Sequence, residues 1–87
     1  MTKITFRAEI LQEGDLYVGL CPELNVSSFG ETVEEARRSL YEAVEAFIEE
    51  CEAMGTLEDV MSEASFVKDH DIWVRRKPVA EEALSIG

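Results

Sequence analysis

The stretch Tyr17-Val18-Gly19-Leu20-Cys21-Pro22-Glu23-Leu24-Asn25-Val26-Ser27-Ser28-Phe29-Gly30-Glu31-Thr32-Val33-Glu34-Glu35-Ala36 decides how this chain folds. An apolar strand runs into a Cys-Pro corner, a second strand leaves it, and Gly30 leads into a helix. Pro22 ends the first pairing because it has no amide proton to give to a ladder. Thr32 and Glu35 stand at the spacing of a capping box, in which the hydroxyl accepts the Glu35 amide proton and the carboxylate reaches back to the Thr32 amide. The helix therefore begins at Val33, with Pro22, Gly30, Thr32 and Glu35 as its structural markers.

On the N-terminal side, Ile4, Phe6, Ala8 and Ile10 alternate with Thr5, Arg7 and Glu9, the period of a half-buried strand. Glu13-Gly14-Asp15 supplies a tight polar turn into the strand of Leu16, Val18 and Leu20, and Val26 to Phe29 forms a third strand. After Val33 the apolar positions Ala36, Leu40, Ala43, Val44, Phe47, Ile48, Cys51 and Met54 recur at three and four residues, a stripe that faces the sheet. Gly55 suits the left-handed residue that stops a helix of about 33 Å. Thr56 reads as the cap of a short helix over Leu57 to Glu63. Ser65 to Lys77, with Phe66, Val67, Ile72, Trp73 and Val74, reads as a fourth strand, and 78–87 as a short tail, helical or frayed from Ala80. The expected fold is α+β, a three- to four-stranded antiparallel sheet packed on one long helix, as a single domain over residues 1–87.

A chain of 87 residues buries a modest share of its surface. Self-association as a dimer or tetramer is expected, through open strand edges and the apolar Phe66 and Trp73. Nineteen acidic against eight basic side chains give a net charge of -11, which opposes nonspecific attraction to nucleic-acid phosphates or anionic lipid. A basic protein is the better partner, and neither direct nucleic-acid binding nor a membrane is expected. Charge is concentrated: Glu31 to Glu63 holds eleven acids against Arg37 and Arg38, a net of -9. Glu34 has Arg38 four residues on, whereas Glu42, Glu45, Glu49 and Glu52 have no basic residue downstream on their face. Glu42, Glu45 and Glu49 are the candidate partner-binding residues. Met1-Thr2-Lys3-Ile4-Thr5-Phe6-Arg7 opens no apolar run long enough for a signal peptide or a membrane span, so a cytoplasmic location is expected. Cys21 and Cys51 fit no metal motif and read as small apolar residues of a reducing compartment.

A metal-dependent nuclease needs several carboxylates converging on strand ends. Glu9 and Glu23 are the only acids well placed on or beside the early strands, and two do not make a two-metal site; both read as solvated surface carboxylates. His70, between Asp69 and Asp71, reads as a solvated turn residue, and the chain has no nucleophile elbow or glycine-rich loop. No catalytic, metal-binding or cofactor-binding residue is assigned, and no enzyme activity is expected. Arg75-Arg76-Lys77 beside Trp73 is too small for a nucleic-acid patch and reads as charge protecting a strand edge.

Cys21-Pro22-Glu23-Leu24, Gly30-Glu31-Thr32, Glu34-Glu35-Ala36 and Glu42-Ala43 follow one another in the order of a known pattern. Over roughly the first two thirds of its length the chain resembles the HicB-like antitoxin family of bacterial and archaeal toxin-antitoxin systems. No helix-turn-helix or ribbon-helix-helix segment is recognisable, so the resemblance is to stand-alone members without a DNA-binding domain. It implies an incomplete ribonuclease H-like fold without nuclease activity. It also implies a partner: a HicA-like toxin, a small basic ribonuclease that cleaves messenger RNA with an essential histidine and is inhibited when its active site is covered. The alternative is an orphan HicB-like domain without a toxin, acting as a homo-oligomeric adaptor or regulator.

Overall fold

A computed structural model describes residues 3–87; Met1 and Thr2, which open the leading segment read above, lie outside it. The elements are β1 (Lys3–Ile4), β2 (Glu9–Glu13), β3 (Leu16–Cys21), β4 (Val26–Gly30), α1 (Val33–Met54), α2 (Leu57–Glu63), β5 (Phe66–Asp69) and β6 (Ile72–Arg75). The fold is α+β. Strands β2, β3 and β4 form an antiparallel sheet in that order. In the second sheet, ordered β1-β6-β5, β1 runs parallel to β6 and β6 antiparallel to β5.

Local chemistry explains the turns. Glu13 pairs with Leu16 around a two-residue turn, and Gly14 takes the positive φ of 59° that tight hairpins require. At the second corner Cys21 pairs with Val26, the Asn25 amide donates to the Pro22 carbonyl at 3.2 Å, and Asn25 adopts a φ of 55°. Asparagine tolerates that left-handed conformation better than other residues with a side chain of its size. Thr32 is extended, and its Oγ1 accepts the Glu35 amide proton at 3.0 Å. Gly55, at φ 73°, ends α1 in a Schellman arrangement: the Gly55 and Thr56 amides donate to the Glu52 and Cys51 carbonyls at 3.2 and 2.9 Å.

Helix α1 buries Ala36, Leu40, Val44, Ile48 and Cys51 and packs chiefly on β4 and β3. Two glycines set how close it comes. A Cβ on Gly19 would lie 2.9 Å from the Ala36 carbonyl oxygen and 3.1 Å from the Leu40 Cβ. A Cβ on Gly30 would lie 2.6 Å from the Glu35 Cβ and 2.7 Å from the Ala36 nitrogen, so the helix would have to move away. A single core then joins both sheets and both helices: Cys21, Leu24, Leu40, Val44, Ile48, Met61, Phe66 and Trp73.

The architecture departs from the sequence-based expectation in five places, and the tail takes the non-helical of its two expected forms. The strands form two three-stranded sheets, not one of three to four. The leading strand breaks at residues 5–8, where the chain exchanges β6 for β3 as its neighbour; Thr5 still donates to the Trp73 carbonyl at 2.9 Å, and Ala8 is exposed, out of phase with Ile4 and Phe6. Ser65 to Lys77 is a hairpin, because His70 adopts a φ of 59° and turns the chain between Asp69 and Ile72. Thr56 makes no side-chain cap for α2; its hydroxyl donates to the Cys51 carbonyl at 3.5 Å and so belongs to the end of α1. Arg37, not Arg38, pairs with Glu34, at 2.8 Å. Residues 78–87 form neither helix nor strand.

Cys21 and Cys51 are buried free thiols. Burial pushes the Cys21 thiol above its ordinary value of 9.0, the Leu24 amide opposes this, and the nearby Glu23 charge reinforces it. A raised folded-state value holds its stabilisation below the unfolded pKa and loses it as pH rises past that point. The stability advantage of the wild type over Cys21→Ala should therefore be constant at neutral pH and shrink above pH 9.0, measured by urea unfolding at several pH values. Gly30→Ala should cost about 2–3 kcal/mol in the same assay, because a backbone atom of α1 must yield. Gly14→Ala should cost about 1 kcal/mol, since its added Cβ meets nothing within 4 Å and only the positive φ resists it.

Candidate docking groove

The break in the leading strand leaves a groove of about 340 Å³ between α1 and the β1–β6 side of the molecule. From α1 come Tyr41, Val44, Glu45, Ile48, Glu49 and Glu52, spaced to line one side of a helix. Across from them stand Lys3, Ile4, Thr5, Phe6 and Ile72. Val44 and Ile48 form a buried floor. Tyr41 is 58% exposed, although most of its surface is an aromatic ring. Ile72 is also exposed at the rim.

The electrostatics of α1 are unfavourable for an isolated helix. Glu45 and Glu49 are one turn apart on the groove side, and like charges at that spacing cost a few tenths of a kcal/mol. They lie in the C-terminal half of the helix, where the dipole already favours cations, and the last turn contains no basic residue. Among the described residues Lys3 is the single basic residue lining the groove. Apolar contact along the floor with acidic side chains along one wall makes a surface suited to a segment that is apolar on one side and cationic on the other.

Of the three glutamates singled out from sequence, Glu45 and Glu49 line this groove and Glu42 does not, being one residue past Tyr41 and so turned about 100° around the helix. Tyr41 and Glu52 belong to it and were not anticipated. Tyr41 had a readable signal, an aromatic residue on a helix outside the stripe of Ala36, Leu40, Val44 and Ile48. Ile4, Phe6 and Ile72 had none, because only the parallel pairing of Lys3 with Ile72 brings them to the helix.

The remaining candidates fall elsewhere. His70 is an exposed turn residue whose Nδ1 lies 2.9 Å from the Asp69 Oδ1. Lys68 rests its Nζ 5.8 Å from the Trp73 ring centre. Phe66 and Trp73, expected to offer an association surface, are instead core residues, because the β5–β6 hairpin turns both inward onto Met61 and α1. Glu9 and Glu23 converge on one cation: Arg7 holds Glu9 at 3.4 Å and Glu23 at 3.5 Å, with Arg75 4.0 Å from Glu23 on the other side. Both carboxylates are thus engaged by the same guanidinium. Glu23, with 11% of its side chain exposed, thereby ties the Cys-Pro corner to the strand break and to β6.

Glu23→Gln should therefore lower stability by about 1–2 kcal/mol in chemical denaturation, a paired and largely buried charge being lost. RNA incubated with the chain and magnesium or manganese should stay intact; cleavage that disappears in Glu9→Gln or Glu23→Gln would contradict the ion-pair role. Among the described residues no helix is long and apolar enough to cross a membrane. Comparison of the chain with protein-family models, with curated proteins and with solved structures finds no match.

Proposed function

We propose that the chain is an antitoxin-like binding module, which neutralises a small basic HicA-like toxin that cleaves messenger RNA, as part of a type II toxin-antitoxin system. The observation that carries this reading is the groove: an apolar floor of Val44 and Ile48, the exposed Tyr41, and a wall that includes Glu45 and Glu49. A basic ribonuclease must present cations around its RNA site, and a partner that covers such a site needs opposite charge together with apolar contact. The net of -9 between Glu31 and Glu63 supplies long-range attraction to such a protein. The resemblance of Cys21 to Ala43 to HicB-like antitoxins supports the same reading. So does the chain path, three antiparallel strands, a long helix, and a later strand parallel to the first, which is compatible with an incomplete ribonuclease H-like fold. In this reading the protein works in the cytoplasm and performs no catalysis of its own.

The second reading is an orphan HicB-like adaptor or regulator that assembles with itself and has no toxin. The exposed apolar side chains Leu11, Phe29, Leu84 and Ile86, all outside the groove, favour it. The neighbouring gene separates the two: a short, basic, histidine-containing reading frame belongs to the first.

Co-expression with that neighbouring protein should relieve its toxicity and yield a complex. Replacing Glu45 and Glu49 together with Gln should slow association several-fold at low ionic strength, and added salt should slow the wild type towards the same rate. Glu42→Gln should change the rate less. Each replacement should leave stability within about 0.5 kcal/mol of the wild type. Tyr41→Ala should act mainly on dissociation, as loss of an aromatic anchor does. Binding that is unaffected by these replacements and by salt would exclude the groove.

A further inference from the structure

The sheet of β2, β3 and β4 has two faces, and α1 covers one. Gly19 and Ile10 point to the helix, so their neighbours along the strands point away from it. The register then sets Leu11, Val18 and Phe29 side by side across all three strands on the outer face, with Leu16 two residues along β3 from Val18. Phe29 is 65% exposed and Leu11 50%, with Val18 half-buried between them.

The same chain carries an arm with the complementary need. From Pro78 to Gly87 every residue is exposed and none is in a helix or strand; Val79 and Ile86 are fully exposed and Leu84 nearly so. The radius of gyration is 14.7 Å, against about 12 Å for a compact chain of this length. Pro78, Val79 and Glu81 border a shallow cavity with Glu23, Ser65 and Arg75, yet the apolar side chains of Val79, Leu84 and Ile86 remain in water.

Of the two surfaces open to the arm of another copy, the outer face is the more apolar and the less acidic at its centre. After Lys77 the arm has Glu81 and Glu82 and no cation, so the groove wall of Glu45 and Glu49 repels it. Leu11, Val18 and Phe29 are themselves uncharged, while Glu9 and Glu13 share their face at its β2 edge, two residues to either side of Leu11, Glu9 being paired with Arg7 at 3.4 Å. Outer face and arm together leave Leu11, Leu16, Phe29, Val79, Leu84 and Ile86 exposed in each copy, large side chains of the kind that fill the ~800 Å² each partner contributes to a standard interface. A reciprocal exchange covers both surfaces in both copies and closes with two-fold symmetry.

We propose that residues 78–87 of one copy pack on the outer β2–β3–β4 face of a second copy, each chain giving an arm and receiving one. This pairing leaves the acidic groove open and does not depend on the toxin reading. Sedimentation velocity of the 87-residue chain at high micromolar concentration should give twice the monomer mass. Phe29→Ser, and separately Val79→Ser with Leu84→Ser and Ile86→Ser, should each weaken the dimer at least about tenfold. Circular dichroism should be unchanged, because none of these side chains belongs to the core. Should Phe29→Ser alter the fold, Leu11→Ser tests the same row from the opposite edge. Mixing a Leu11→Cys chain with an Ile86→Cys chain under oxidation should give a disulfide-linked heterodimer, the native cysteines being buried. A wild type that stays monomeric, a dimer that survives both the face and the arm replacements, or crosslinking of Leu11→Cys chains only to each other would overturn the proposal.

Discussion

The close approach of α1 to β3 and β4 is the constraint on which the rest of this molecule depends. Both strands present a glycine where the helix arrives, and at each the space a Cβ would need is taken by the helix itself. With the first turn of α1 seated against Gly30 and the Ala36–Leu40 turn against Gly19, the stripe continues through Val44 and Ile48 at the depth needed to meet Met61, Phe66 and Trp73. The Thr32 cap sets where the helix begins, and the Schellman ending at Gly55 sets where the chain leaves it. A helix held farther out would leave Leu40 and Cys21 without contact, and deleting such buried contacts typically costs a few kcal/mol each.

The same seating determines where charge is placed. Burying one side of α1 leaves the remaining sides to an excess of glutamates, and the acids in its C-terminal half oppose the helix dipole. That is an unfavourable arrangement for a free helix and a favourable one for a helix that meets cations. Glu23 illustrates the alternative: where this chain needs a carboxylate inside, it surrounds it with Arg7 and Arg75. Glu45 and Glu49 on the groove wall face Lys3, the only lining cation among the described residues. The two kinds of site differ in chemistry, one neutralised within the chain and the other offered outward.

Two apolar surfaces also differ in kind. The groove joins apolar side chains to acids, and so selects a cationic occupant by charge. The outer face of β2, β3 and β4 presents an apolar row with Glu9 and Glu13 only at its β2 edge, a character that suits association between identical chains. The groove and the outer face share no residue, so the proposed self-association and the proposed capture of a basic partner would use different side chains.

Local chemistry was legible in the sequence: the Gly14 turn, the Cys-Pro corner, the start of α1 at Val33, its end at Gly55 and its buried stripe each depend on residues within a few positions of one another. A cap or a left-handed glycine acts through neighbouring backbone, so its effect is written in the order of residues. Partner choice between distant segments is not. The leading strand alternates as far as Phe6, yet only the folded chain decides that Lys3 and Ile4 join β6 while Glu9 to Glu13 join β3. Phe66 and Trp73 look the same in sequence whether they cover a core or remain outside, and the turn at His70 decides it. Glu45 and Glu49 could be found from sequence as unpaired acids and Val44 and Ile48 as part of the stripe, but the apolar side chains across from them could not, because Ile4, Phe6 and Ile72 come from opposite ends of the chain. Sequence determined which residues the helix buries and which it leaves charged; tertiary structure alone decided what lies across from them, since that depends on long-range pairing that no local pattern encodes.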